Sequence, residues 1–192
     1  MDELRDEAAP LATNPRYSQV AMLLHWLIAA CFAFQIGLGL RMDAPRGPQT
    51  FAVYQLHKSI GITILLLTLI RLAWRLTKPA PAFPSTMSPL EKRLATIVHA
   101  GFYVLLIGLP LTGWLLVSTG GRPTSIFGLF DMPALPVSHA DGPHDAFESL
   151  HTIFGYAMLA LVVLHVAGAL KHQLEGHRQV FGRMAPWGYR AR

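Results

Sequence analysis

A chain of 192 residues with 52% hydrophobic and only 14% charged side chains falls well below the roughly 25% charge of a soluble domain. Its charge deficit sits in a few long segments, which excludes an ordinary soluble globular domain. The formal net charge of +5 divides by side of a membrane, as set out below, and so argues against nucleic-acid binding. The single cysteine, Cys31, leaves no internal disulfide and no CxxCH haem attachment.

In chain order, the segment MDELRDEAAPLATNPR is acidic and then proline-containing, with no basic n-region and no small-residue cleavage site. It predicts a tail over 1–16 and a first span that stays in the membrane as an anchor. Four uninterrupted apolar runs follow, at about 20–40, 53–74, 94–118 and 149–170. Each is about 20 residues or longer, enough to cross ~30 Å of hydrocarbon at 1.5 Å per residue. A buried soluble bundle would show a polar stripe every 3.6 residues, whereas ITILLLTLI at 62–70 is apolar all round. The expected fold is all-α: an integral-membrane four-helix bundle over 17–175, with a basic tail over 176–192.

Between spans two and three, TKPAPAFPSTMSP reads as an extended connector. Between spans three and four, GGRPTSIFGLFDMPALPVSHADGPHD is long and rich in Gly and Pro, fit to cap one face or to dock a partner. Basic residues mark the cytoplasmic side. Arg5, Arg16, Arg71, Arg75, Lys78, Lys92, Arg93, Lys171, Arg178, Arg183, Arg190 and Arg192 fall on one side. Arg41, Arg46 and Arg122 fall on the other. Twelve against three predicts both termini cytoplasmic.

Strongly coordinating side chains inside a span are functional candidates. With that topology, His25 lies near the inner end of span one and His57 near the outer end of span two. Span four carries His151 at its outer end and His165 near its inner end. The fourteen residues from His151 to His165 make nearly four turns, placing both on one face about 21 Å apart. The depths therefore pair His57 with His151 and His25 with His165, as axial ligands of two b-type haems. His99 shares the inner depth, so depth alone does not say whether it or His25 opposes His165. His172 falls at the inner interface. A lone histidine is usually a hydrogen-bonded structural residue, but chance does not place four at matching depths. A zinc or copper site needs three or four donors at one depth, usually with acids, and the apolar runs contain none. Gly61 and Gly155 each follow a candidate ligand by one turn. They make room either for a porphyrin face or for close helix packing. Pro110 and Gly113 predict a bend in span three, with no chemistry attached.

Several stretches together resemble the bacterial cytochrome b561 family, of the short four-span kind, along about 17–175. They are YSQVAMLLHWLIA, HKSIGI, IRLAWRLTKPAP, HAGFYVLLIGLPLTGW, FGLFDMP and LHTIFGYAMLALVVLHVAGALKH. The resemblance implies noncovalent haem b, two per chain, in the bacterial inner membrane. It implies axial ligands at His25, His57, His151 and His165, choosing His25 over His99. It also implies a superoxide oxidase, which takes electrons from superoxide on the periplasmic side and gives them to ubiquinone.

For that activity Lys58, beside His57, is the favoured outer cation for the approaching anion, with Arg41, Arg46 and Arg122 as further ones. A lysine snorkelling to the interface is the plainer explanation. Arg71 and Arg75, one turn apart, are candidates for haem propionates or the quinone, and His99 and His172 are quinone candidates. The alternative function is a cytochrome subunit that relays electrons between a partner dehydrogenase and quinone.

Overall fold

The computed structural model describes residues 16–42, 47–121, 123–176 and 179–185. The tail over 1–15, most of the basic tail, and Arg5, Arg46, Arg122, Arg178, Arg190 and Arg192 lie outside them. Among the described residues, four helices are long and apolar enough to cross a membrane. They are α1 (Gln19–Gly39), α2 (Pro48–Thr77), α3 (Pro89–Ser118) and α4 (Asp141–Leu174). A short helix, α5 (Gln179–Gly182), follows α4. The all-α expectation gains one addition, a three-residue antiparallel pair of β1 (Thr124–Ile126) and β2 (Phe130–Met132).

Local chemistry sets the helix ends. Ser18 caps α1 by accepting the Ala21 N–H, and Pro48 and Pro89 each open a helix at a position where the missing N–H costs nothing. At α3, Ser88 and Glu91 form a reciprocal capping box. Lys78 closes α2, because Pro79 follows and disfavours a helical residue before it. Gly176, at φ +80°, supplies the left-handed residue just past α4. Both α2 and α4 begin before their apolar runs. The stretch HADGPHD, expected in the loop, contributes most of its residues to the first turns of α4.

The packing runs in sequence order: α1 on α2, α2 on α3, and α3 on α4. Among the long helices, α4 packs closely on α3 alone. Large apolar residues such as Leu23, Phe34, Leu66, Val104, Ile153 and Val163 face outward. That is costly in water but ordinary against lipid, where helix contact rests on shape and small residues. On α3, glycines do this work. A Cβ on Gly101 would come 2.9 Å from Leu161 Cδ1, and one on Gly108 would come 2.8 Å from Phe154 Cε2.

At one end, which we call the hairpin end, the long connection forms an anchored cap. Ser59, 1% exposed, accepts the Phe127 N–H at 2.9 Å and donates to the Gln55 carbonyl at 2.9 Å. Ser118 accepts the Leu135 N–H at 2.9 Å, and Trp114 donates to the Pro133 carbonyl at 3.1 Å. At the terminal end, the segment after α5 crosses the start of α1. Arg16 donates to the Ala185 carbonyl at 2.6 Å, Trp26 to the Met184 carbonyl at 2.8 Å, and Arg183 to the Ala82 carbonyl at 2.8 Å. The proline-rich connector has no helix or strand over 79–84 and then turns, with the Met87 N–H donating to the Pro84 carbonyl at 3.2 Å.

Candidate functional sites at the two ends of the bundle

Two histidine clusters form, one toward each end. At the hairpin end, His57 on α2 and His151 on α4 face each other with ring centroids 6.2 Å apart. At the terminal end, His25 on α1 and His165 on α4 are also 6.2 Å apart. The structure brings together both couples that the depths matched. The regular rise of α4 does the rest, since one face carries both of its histidines.

His99 joins the terminal-end cluster, with its ring 5.9 Å from that of His165. Ring distance therefore leaves His25 and His99 equivalent, as depth did. Helix packing does not. His99 and His165 sit on helices that touch closely, with the Leu161 side chain against Gly101, whereas α1 and α4 lack such close packing. Phe102 lies edge-on to His165 at 5.3 Å and Trp26 to His25 at 5.4 Å, so aromatic rings line this cluster.

The hydrogen bonding of the hairpin-end couple is asymmetric. His151 Nδ1 lies 3.0 Å from the Leu109 carbonyl oxygen and 3.2 Å from Thr112 Oγ1. The Thr112 hydroxyl itself donates to the Leu109 carbonyl at 2.8 Å. His57 Nδ1 is buried without a hydrogen-bond partner among the described residues, while the His57 carbonyl accepts from Gln35 Nε2 at 2.9 Å. Gly113 abuts the His151 ring, where an added Cβ would come 3.0 Å from Cε1. The expectation that Gly113 only bends its helix is corrected: it makes room for an imidazole. Gly155, by contrast, would place a Cβ within 4 Å of nothing, and Gly61 only within 3.5 Å of Gln35 Nε2. Close helix packing thus explains the glycines of α3 but not Gly155.

The remaining candidates divide between the ends. Lys58 is half-buried and Arg41 exposed at the hairpin end. At the terminal end, Arg71 donates to the Ala21 carbonyl. Arg71 and Arg75 line a small cavity with Tyr17, Trp74, Lys78 and Tyr103. The two tyrosines had no signal in the sequence, because only the fold sets them beside the arginines. His172 is buried beside an ion-paired cluster, its Nδ1 3.9 Å from Glu175 Oε2. Ligand atoms of Glu91, His172 and Glu175 lie within 4.8 Å of one another. The Lys171 ammonium already binds both carboxylates, at 2.6 and 3.2 Å, and offsets part of their charge.

The couples suit an iron porphyrin. Two imidazoles that each bind a shared metal through one nitrogen at ~2 Å have ring centres about as far apart as these. The ring nitrogens are neutral-imidazole donors, with no acid among them. The bond from Nδ1 to a carbonyl is the arrangement usual behind a coordinating Nε2.

Comparisons with known proteins agree with this chemistry. Residues 16–187 match the family model described as prokaryotic cytochrome b561. A protein of Escherichia coli K12 named cytochrome b561 homolog 2 is 32% identical over 180 residues, covering 90% of this chain and 92% of its own length. A probable superoxide oxidase CybB of Yersinia pestis is 29% identical over 174 residues, covering 90% and 97%. A cytochrome b562 of Cereibacter sphaeroides is 27% identical over 170 residues, covering 85% and 90%.

Proposed function

Because this chain belongs to the prokaryotic cytochrome b561 family, a multi-pass membrane cytochrome by descent, we propose that it carries two b haems and moves electrons from superoxide to ubiquinone. The observation that carries the proposal is the pair of opposed histidine couples, each 6.2 Å across, at opposite ends of one bundle. His57 with His151, and His25 with His165, would hold the two haem irons. The close contact of α3 with α4 supports His25 over His99, because a porphyrin fits between helices that stand apart. The bound haems supply one-electron carriers at two depths, about 21 Å apart along α4.

The basic excess supports both termini in the cytoplasm and the hairpin end in the periplasm of a bacterial inner membrane. Two superoxide anions each give up one electron and leave as dioxygen. One ubiquinone takes both electrons and two protons and leaves as ubiquinol. Superoxide as donor comes from the name of the Yersinia pestis relative, and ubiquinone from the family resemblance. Lys58, adjacent to His57, supplies a positive field that draws the anion in. Arg41 adds to it, and Arg46 and Arg122, further candidates, lie outside the described residues. At the cytoplasmic end, Arg71 and Arg75 hold anionic groups of the haem or polarise the quinone, with Tyr17 and Tyr103 beside them. His99 and His172 are the candidates to pass protons to the quinone. As domains, 17–175 form the cytochrome unit, between the tails over 1–16 and 176–192.

One observation favours a second reading. The hairpin exposes Phe127, Leu129 and Phe130, with Leu129 81% exposed, and such apolar residues suit docking of a partner dehydrogenase. In that case the chain relays electrons between that enzyme and quinone. Adding superoxide and a short-chain ubiquinone to the purified, haem-replete chain separates the two. Rapid haem reduction followed by quinol formation supports the oxidase. Haems that stay oxidised under a superoxide flux leave the relay.

A further inference from the structure

The hairpin-end couple is not symmetric in its surroundings, and the asymmetry has a definite source. Of His25, His57, His99, His151 and His165, only His151 makes a ring hydrogen bond among the described residues. Its two partners come from one turn of α3. The proton assignments there have a single consistent solution. The Leu109 carbonyl only accepts, and it lies 3.0 Å from His151 Nδ1, so that nitrogen carries the hydrogen. The Thr112 hydroxyl donates to the same carbonyl, which leaves its oxygen lone pairs to accept from His151. Nδ1–H is thus shared between two oxygens, and Nε2 holds the free lone pair.

The sequence makes this possible through an absence. A helical side chain covers the turn just N-terminal to its own Cα. Gly113, one turn after Leu109, has none, so the Leu109 carbonyl is bared toward α4. The His151 ring lies in the space a methyl group would take.

We propose that the Leu109–Gly113 turn is the positioning element of the hairpin-end haem, with Thr112 as its adjustable part. This rests on His57 and His151 being that haem's ligands. The turn fixes the tautomer and plane of His151, and sharing its Nδ1 hydrogen makes the ring a stronger electron donor through Nε2. Stronger donation favours the oxidised iron and lowers its midpoint potential. His57, whose Nδ1 has no partner among the described residues, has no such bias. The hairpin-end centre is thereby tuned to release its electron onward and not to store it.

The test uses full-length, two-haem protein in detergent, with redox titration and EPR of the oxidised state. His151→Ala first identifies the hairpin-end component by removing it; if both haems persist, the ligand assignment fails and this inference falls with it. Thr112→Val keeps the shape and deletes the hydroxyl, and Thr112→Ser keeps the hydroxyl. With two haems retained, Thr112→Val is expected to move the hairpin-end midpoint to a more positive value and change its g-anisotropy. The other component is expected to stay in place, and Thr112→Ser to behave like the parent. Loss of the hairpin-end haem in the valine variant alone, restored by serine, equally supports positioning through the hydroxyl. An unchanged hairpin-end component, an equal shift of both, or a serine variant like the valine one overturns the inference and leaves Thr112 as packing.

Discussion

His25 and His99 compete for one role, and their alanine variants should part cleanly. The two rings are nearly equidistant from His165, at 6.2 and 5.9 Å, so the discrimination comes from the helices that carry them. A flat macrocycle needs ~3.5–4 Å of clearance on each face. Near His99, however, a Cβ on Gly101 would already sit 2.9 Å from Leu161. Admitting a porphyrin there means parting α3 from α4 by about 3.5–4 Å. It also strips the Leu161 and Phe154 side chains from their glycine seats. In a membrane that loss is not hydrophobic but dispersive, ~0.1–0.2 kcal/mol per atom pair over tens of pairs. No such separation is needed between α1 and α4. His25→Ala is therefore expected to lower the haem content from two per chain to one, and His99→Ala to leave two. A pyridine haemochrome assay against quantified protein reads this directly. One haem in His99→Ala together with two in His25→Ala would refute the packing argument.

Three further outcomes follow from the same geometry. Gly113→Ala pushes a methyl to 3.0 Å from His151. It should weaken retention of the hairpin-end haem roughly 10- to 100-fold, from ~0.5–1.5 kcal/mol of ring strain and a comparable hydrogen-bond loss. Ser59→Ala removes the acceptor of the Phe127 N–H at a cost of ~0.5–1.5 kcal/mol, so amides of 124–132 should exchange faster by mass spectrometry while the haem count holds. Lys58→Met should slow haem reduction by superoxide and flatten its ionic-strength dependence in stopped flow. An unchanged salt dependence would remove Lys58 from the anion's approach.

How much of this the sequence carries depends on whether a feature is local. Four apolar runs of spanning length are visible without tertiary information, because lipid demands them residue by residue. So is the shared face of His151 and His165, because helical rise and twist fix it within one element. From these the two depths and the pairing of imidazoles follow, while the family resemblance rests on the order and spacing of motifs such as HKSIGI and FGLFDMP. The early starts of α2 and α4 are less visible, since the first turns of each carry polar and proline residues that also suit a loop.

What only the folded chain decides is which surfaces meet. Gly101, Gly108 and Gly113 look alike in the sequence, yet two seat apolar side chains and the third seats the His151 imidazole. Tyr17, just ahead of α1, and Tyr103 on α3 reach the arginines of α2 from separate parts of the chain. The partner of His151 is a backbone carbonyl, which every residue has and no sequence pattern marks. Apolar helices in lipid gain nothing from burying one face over another, so their rotation and order are set by shape, and shape belongs to the assembled bundle.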